Sequence, residues 1–331
     1  MSYQTLLSLP NRDFSDKKVL IIGAGWMARQ YGQALKSLGV SDMSFLARSE
    51  SSAAACAGEF NGRGRWGGYK ECLPACKPCD LTIIATPIHE LKSAALEAMA
   101  CGQKNILVEK PGSLYSSEFP AWEKEAELSG ARVRLAFNRL CYPNLWKLRE
   151  LIDQDGGISS CRYTFTELIS SINFNKENED VYQRWGIANS LHVIGLAHAL
   201  IGLPVEMCSY RRGGLDWHPV ASKFVGAGVT DQGVHFSYLA DWDSAGRWGV
   251  EIMTPEYAYR LMPLEKLFRC RRGSFDWEPV EFQVPFPGVK QGVAEETAVM
   301  LDPVLEERIP LVRLTYARDL VAMAEKIFGY D

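Results

Sequence analysis

The chain has 331 residues, 47% hydrophobic and 23% charged, with a formal net charge of −4. Those proportions are ordinary for a globular protein, and the length suits two domains rather than one core. Basic residues are scattered, which argues against a nucleic-acid partner; no apolar run approaches the roughly 18 residues of a membrane span; and residues 1–18 lack a secretory-signal pattern. Nine cysteines, an odd number, read as the reduced thiols of a cytoplasmic protein.

Taken in order, the first part alternates short apolar runs with helical spacing. Val19–Ile22 is expected as a buried strand. Met27, Tyr31, Ala34, Leu35 and Leu38 follow at helical spacing, and Gly39 closes that helix. Met43–Ala47 is a second strand and Leu81–Ala85 a third, closed by Thr86-Pro87. Leu91, Ala94, Ala95, Ala98 and Met99 form a helix face that stops at Gly102. Strand Asn105–Val108, a helix over 119–128 and strand Val133–Phe137 complete the pattern. Strands separated by helices of this length imply a parallel sheet with right-handed crossovers.

Beyond Asn138 the pattern changes. A helix near 142–152 runs to Gly156-Gly157. Alternating segments then appear at Ser160–Leu168, Val205–Arg211, Gly233–Asp241, Arg247–Met253, Tyr257–Met262 and Val280–Val284. Successive strands with short turns indicate an antiparallel or mixed sheet, whose outer face is a candidate surface for a homodimer or homotetramer. An amphipathic helix, Arg313–Phe328, ends the chain.

Gly23-x-Gly25-x-x-Ala28 follows a strand and opens a helix. The first glycine permits a tight turn and the second lets the backbone approach a pyrophosphate. The small third residue lets helix and strand pack closely. The helix N-terminus supplies free N–H groups and partial positive charge, so Trp26 and Met27 join the candidate dinucleotide contacts. At the end of the second strand an NAD site usually carries an acid. This chain has Ala47-Arg48-Ser49 there, which favours NADP over NAD.

Three stretches, Gly23–Ala28, Ala85-Thr86-Pro87 and Gly102–Pro111 with its Glu109-Lys110-Pro111, resemble the glucose–fructose oxidoreductase / inositol dehydrogenase / MocA family. The likeness is clear over residues 15–155 and fades in the second half. It implies a Rossmann dinucleotide-binding domain over 1–138 and an α+β substrate and oligomerisation domain with a mostly antiparallel open sheet over 139–310. The helix of 311–331 would pack back on the first domain. The activity implied is NAD(P)-dependent hydride transfer at a hydroxyl or keto carbon of a sugar, cyclitol or nucleotide-linked sugar. By resemblance Lys110 lies beside the nicotinamide, with Thr86, Pro87 and Glu109 bounding the cofactor.

The chemistry supports Lys110 independently. Alcohol oxidation removes a proton as well as a hydride, so a proton relay is needed at the hydride site. Burial and the charge of oxidised nicotinamide would both disfavour the ammonium form and make a lysine a usable base. A cis Lys110–Pro111 bond would aim that lysine inward.

Family members commonly carry Asp-x-Gly-x-His on a helix of the second domain. Here His192 matches the histidine, Ala188 stands at the acid's place and Asn189 is adjacent. Loss of the acid shifts the work onto Lys110, or marks a silent dinucleotide-binding regulator; an imine reductase is a third reading. Asn138 and Arg139, after the last strand of the first domain, are substrate candidates, as are Tyr163, Tyr182, Arg184 and Trp185, whose rings and donors suit hydroxylated ligands. His89 reads as a helix-start residue. Cys72, Cys76 and Cys79 copy the spacing of cluster ligands but sit among prolines before a nucleotide-sheet strand, so no metal is expected.

Overall fold

A computed structural model describes residues 3–330. The chain divides into two compact units. One runs up to Pro143 and takes in Val284–Arg318; the other comprises Asn144–Gln283 and the residues from Asp319 onward.

The first unit is built on six parallel strands: β1 Lys18–Ile22, β2 Asp42–Ala47, β3 Arg63–Trp66, β4 Leu81–Ile84, β5 Asn105–Glu109 and β6 Arg132–Ala136. Their order, β3-β2-β1-β4-β5-β6, is that of a doubly wound dinucleotide-binding sheet. Val19, Leu20, Ile21 and Ile22 are all at most 1% exposed, because helices cover both faces. Helix Trp26–Ser37 buries Ala28, Tyr31, Ala34 and Leu35. Gly32 lies against the Phe60 ring, where a Cβ would meet ring carbon at 2.6 Å. Phe60 in turn stacks on Phe45 of β2, with 5.6 Å between centroids.

The return of 284–318 to this unit differs from the expected limits of 139–310 and 311–331. Helix Val293–Leu301 packs on helix Trp26–Ser37, and Val312 bridges to Leu135 of β6. Glu306 accepts from Arg132 at 2.9 Å and pairs with Arg134, both on β6. Helix Leu314–Phe328 begins in this unit, where Arg318 pairs with Glu123 at 3.0 Å, and ends in the other.

The second unit carries eight strands: β7 Ser160–Phe165, β8 Pro204–Arg212, β9 Lys223–Thr230, β10 His235–Asp241, β11 Trp248–Met253, β12 Tyr257–Leu261, β13 Phe268–Arg271 and β14 Glu278–Pro279. Their order is β14-β13-β12-β11-β7-β10-β9-β8. All neighbours are antiparallel except β7 and β10, which run parallel. Along β10, Phe236, Tyr238 and Ala240 are buried while His235, Ser237 and Leu239 face out, the period-two signature of a sheet covered on one side. Helix Leu191–Ile201 lies on the covered face, against β7 and β11.

Four strands escaped the sequence pattern, the two-residue β14 among them, and one expected strand is absent. β9 reads Lys-Phe-Val-Gly-Ala-Gly-Val-Thr, and its glycines disguise it. They are needed there: a Cβ at Gly226 or Gly228 would meet the Tyr238 or Phe236 ring and a β8 carbonyl within 3 Å. β3 and β13 are four residues each and rich in arginine, too short and polar to announce themselves. The stretch expected as strand Val280–Val284 lies between Pro279 and Pro285 and forms no strand; Glu278–Pro279 pairs with β13, and the Val280 N–H donates to the Leu267 carbonyl at 2.9 Å. Leu168 also falls outside its expected strand, because β7 ends at Phe165.

Candidate functional site

The C-terminal edge of the first sheet gathers the residues of interest. Ile22 of β1 lies opposite Ile84 of β4, and Ile84 opposite Val108 of β5. The glycine turn, Thr86 and Lys110 therefore leave three adjacent parallel strands at the same edge. Gly23 has φ +125°, and a Cβ there would lie 2.3 Å from the Ala85 carbonyl oxygen, so no other residue fits. Gly25 is the N-cap of helix Trp26–Ser37, and a Cβ on it would meet nothing within 4 Å. The space in front of this turn is open, and the first-turn N–H groups of residues 26–28 point toward it with no carbonyl a turn behind them. Ala28 is fully buried, Met27 half-buried and Trp26 61% exposed. The Thr86 hydroxyl is buried with no hydrogen-bond partner, beside Pro87, which caps the short helix Ile88–Glu90. An open cradle with an orphaned hydroxyl fits a dinucleotide diphosphate.

Arg48 is exposed just past β2. Ser49 is the N-cap of helix Glu50–Phe60, its Oγ accepting the Ser52 N–H at 3.3 Å. This serine caps a helix, which leaves Arg48 as the basic group at that strand end.

The Lys110–Pro111 peptide is cis. Glu109, expected to face the cofactor, turns inward: its Oε1 accepts the Tyr31 hydroxyl at 2.7 Å. The same hydroxyl lies 3.3 Å from Oε1 of Glu296, on helix Val293–Leu301. Burial raises the pKa of Glu109 and Glu296, and that of neighbouring Glu295 to about 7. Tyr31 and the two glutamates of helix Val293–Leu301 belong to no local motif that would mark them as a polar cluster. The only hint was two adjacent acids, Glu295 and Glu296, opening an apolar helix.

Asn138, expected at the substrate, is 4% exposed, and its Nδ2 donates to the Gln291 carbonyl at 2.9 Å. It fastens the returning segment 284–292 to the short helix Asn138–Cys141, on which Arg139 is half-buried.

In the second unit a cavity of about 520 Å³ is lined by Thr166, Glu167, Asn189, Arg247, Trp248 and Glu265, among others. Glu167 is 5% exposed; its carboxylate accepts from Asn189 Nδ2 at 2.8 Å and from Ser190 Oγ at 2.5 Å. The sequence reading singled out Asn189 but missed Glu167, which sits just beyond β7 in no recognisable motif. Ala188 is buried and offers no polar group. The His192 ring lies 6.1 Å from that of Trp248. A turn of π-helix at Gly186–Ser190 precedes helix Leu191–Ile201. Its wider winding displaces residues 186–190 from simple α-helical register.

Four other substrate candidates take packing roles within this unit. Arg184 is buried, paired with Glu325 at 2.7 Å and stacked over Tyr330. Tyr182 accepts from the Lys176 and Glu177 N–H groups and donates to Asn173, which holds the loop before it. Trp185 stacks on Tyr182, with 5.9 Å between centroids. Tyr163 is a core residue, its hydroxyl 3.2 Å from His198 Nε2. None of the four lines the cavity.

His89 lies half-exposed in the short helix before Leu91. The Cys72 thiol lies 3.0 Å from the Trp66 carbonyl, and among the described residues no group of His, Cys, Asp or Glu is placed to hold a metal. No helix among them is long and apolar enough to cross a membrane.

Residues 17–137 match the model of the GFO_IDH_MocA family, described as an oxidoreductase family with an NAD-binding Rossmann fold. The match covers this region and is the extent of the likeness to that family. No curated protein matches the chain. Among solved structures the chain is similar to UDP-N-acetylglucosamine 3-dehydrogenase from Acidithiobacillus ferrooxidans, at 17% identity and TM-score 0.71, covering 95% of this chain and 97% of that one. It is similar to an oxidoreductase from Agrobacterium radiobacter in complex with NAD+, L-tartaric acid and magnesium, at 13% identity and TM-score 0.75, covering 95% of each. A third is biliverdin reductase from Synechocystis in complex with biliverdin and NADP+, at 15% identity and TM-score 0.71, covering 95% and 99%. At such identities the likeness is one of fold. The GFO_IDH_MocA match adds, for residues 17–137, a likeness to an oxidoreductase family with an NAD-binding Rossmann fold.

Proposed function

We propose that the chain is an NADP-preferring oxidoreductase acting on a hydroxyl or keto carbon of a sugar, cyclitol or nucleotide-linked sugar. The observation that carries this reading is the shared sheet edge: the open Gly23–Ala28 cradle and Lys110 leave parallel strands on the same side. Gly23, Gly25 and the N–H groups of 26–28 would hold the diphosphate, Thr86 would bond the cofactor beside it, and Arg48 would meet a 2′-phosphate. When bound, the nicotinamide supplies or accepts a hydride.

The chain's own work is to hold the substrate and move a proton. Lys110 Nζ is the acid/base, giving a proton to the substrate oxygen on reduction and taking it on oxidation. The cavity with Glu167, Asn189 and Trp248 suits a hydroxylated ring. The carboxylate accepts hydroxyl protons, the amide is a donor and acceptor, and the indole offers an apolar face. His192, beside Trp248, is a further candidate of this unit for a substrate contact. The UDP-sugar dehydrogenase among the structural relatives makes nucleotide-linked sugars the first substrates to try.

The test is Lys110→Ala, assayed with a panel of sugars, cyclitols and UDP-sugars. Its kcat is expected to fall ~10²–10⁴-fold while the Kd for NADPH, read by tryptophan fluorescence, stays near the wild-type value. Wild-type turnover in that variant would overturn the role of Lys110. A wild-type protein that turns over none of the panel with either cofactor would favour the regulator.

A further inference from the structure

Lys290 precedes helix Val293–Leu301, and its ammonium lies 5.0 Å from the centroid of the Trp26 indole, the first residue after the Gly25 cap. The same ammonium acts on Glu109 and Glu296, favouring their ionised forms against the burial that opposes them. Lys290 thus lies over the first residue past the glycine turn and also acts on a buried pair of acids. The pair is bridged by a single hydroxyl, Tyr31, at 2.7 and 3.3 Å. A hydroxyl has one proton to give. When Tyr31 donates to one carboxylate, the other, while ionised, depends on the Lys290 charge; without that charge it is well placed only if it carries a proton and donates to Tyr31. The charged groups acting on the pair are Lys110 and Lys290 on the positive side and Glu295 on the negative.

A dinucleotide diphosphate carries two negative charges in water and is more exposed than the acids, so at that turn it would compete with them for the Lys290 ammonium. We propose that Lys290 is the counter-ion of the dinucleotide diphosphate, drawn from the Glu109–Glu296 pair on binding, and that the pair takes up a proton from solvent in exchange. The inference rests on the reading that the glycine turn holds a dinucleotide. Its consequence is a protein that binds coenzyme and proton together, with the proton stored one residue from Lys110. Tyr31, Glu296 and Lys290 are then positioning residues rather than catalytic ones.

Isothermal titration of the full chain with NADPH tests this, at one neutral pH in two buffers of different ionisation enthalpy. The heat difference counts protons exchanged. Wild type is expected to take up a substantial fraction of a proton more than Glu296→Gln or Tyr31→Phe, which bind the same nucleotide and so subtract its own ionisation. Lys290→Met is expected to bind about tenfold more weakly, the size of one charge-assisted contact, and to lose the extra uptake. Equal uptake in wild type and both acid-network variants would overturn the exchange. An unchanged Kd in Lys290→Met would overturn the counter-ion. Should wild type with a native circular-dichroism spectrum bind neither NADPH nor NADH, the dinucleotide reading falls first and takes the proposal with it; binding without uptake removes the proposal alone.

Discussion

The two units differ in the groups whose protonation burial shifts: carboxyls in the first, imidazoles in the second. The first packs Glu109, Glu295 and Glu296 into an apolar sheet-and-helix layer, where burial favours the protonated carboxyl. The second buries His198 and His218 among aromatic rings, where burial favours the neutral imidazole. His198 Nδ1 faces the Gly202 carbonyl at 2.7 Å, so this nitrogen carries the proton and Nε2 accepts from Tyr163. His218 repeats the pattern, with Nδ1 on the Ala221 carbonyl at 2.6 Å and Nε2 on Tyr330 at 2.7 Å. Two regions of one chain should therefore respond to pH in opposite directions. The acids sit beside the proposed coenzyme edge, whereas the histidines sit in a core.

The contrast can be broken hardest by emptying the second core. Phe328 is fully buried and meets Phe165, Phe224 and Trp242 with centroids 5.4, 4.9 and 5.7 Å apart. Phe328→Ala is expected to cost about 3–5 kcal/mol of unfolding free energy in urea, while NADPH binding by surviving folded protein is retained. A loss under 1 kcal/mol would mean that this cluster does not hold the unit together.

The pH response comes next. Burial lowers His198 to about 4, so the unfolded chain binds more protons between that value and the ordinary histidine range. Its contribution is fully present above about pH 6.5 and is lost as pH falls toward 4, about 3 kcal/mol in all. Glu295, raised to about 7 by burial, works the other way. Its folded form holds a proton that the unfolded chain gives up, so stability falls as pH rises from about 4.5 to 7, by up to about 3 kcal/mol. The two windows overlap and the slopes oppose, so relative to wild type urea midpoints should fall with rising pH in His198→Gln and rise with pH in Glu295→Gln. A parallel shift of both variants at every pH would remove the contrast.

The smallest effect is expected at Arg48, which is exposed. Arg48→Ala should weaken NADPH by about 1.5–3 kcal/mol and leave NADH unchanged, as a lost charge-assisted contact requires. Equal weakening of both nucleotides would remove the 2′-phosphate contact.

The same two regions differ in legibility. β1, β4 and β5 are buried on both faces, so they appear as unbroken runs of Val, Ile and Leu that local composition reveals. The glycine turn and Lys110 could be placed because each sits next in sequence to such a run. In the second sheet, Gly226 and Gly228 of β9 make room for rings on β10, so the strand's own sequence hides the reason for its composition. Arg184 and Tyr182 looked like ligand groups because donors and rings suit both uses; their partners, Glu325 and the 173–177 loop, decide the matter.

What the sequence by itself determined was the alternation of parallel strands and helices, the glycine turn at 23–28 and the lysine just past β5. These are local features, written in spacing and in residues a few positions apart. Only the tertiary structure brought Tyr31, Glu109 and Glu296 onto one hydroxyl, set Lys290 over Trp26 and turned Glu167 toward Asn189. A buried polar group takes its meaning from what stands opposite it once water has been excluded. That partner is supplied by packing, and no periodicity along the chain records it.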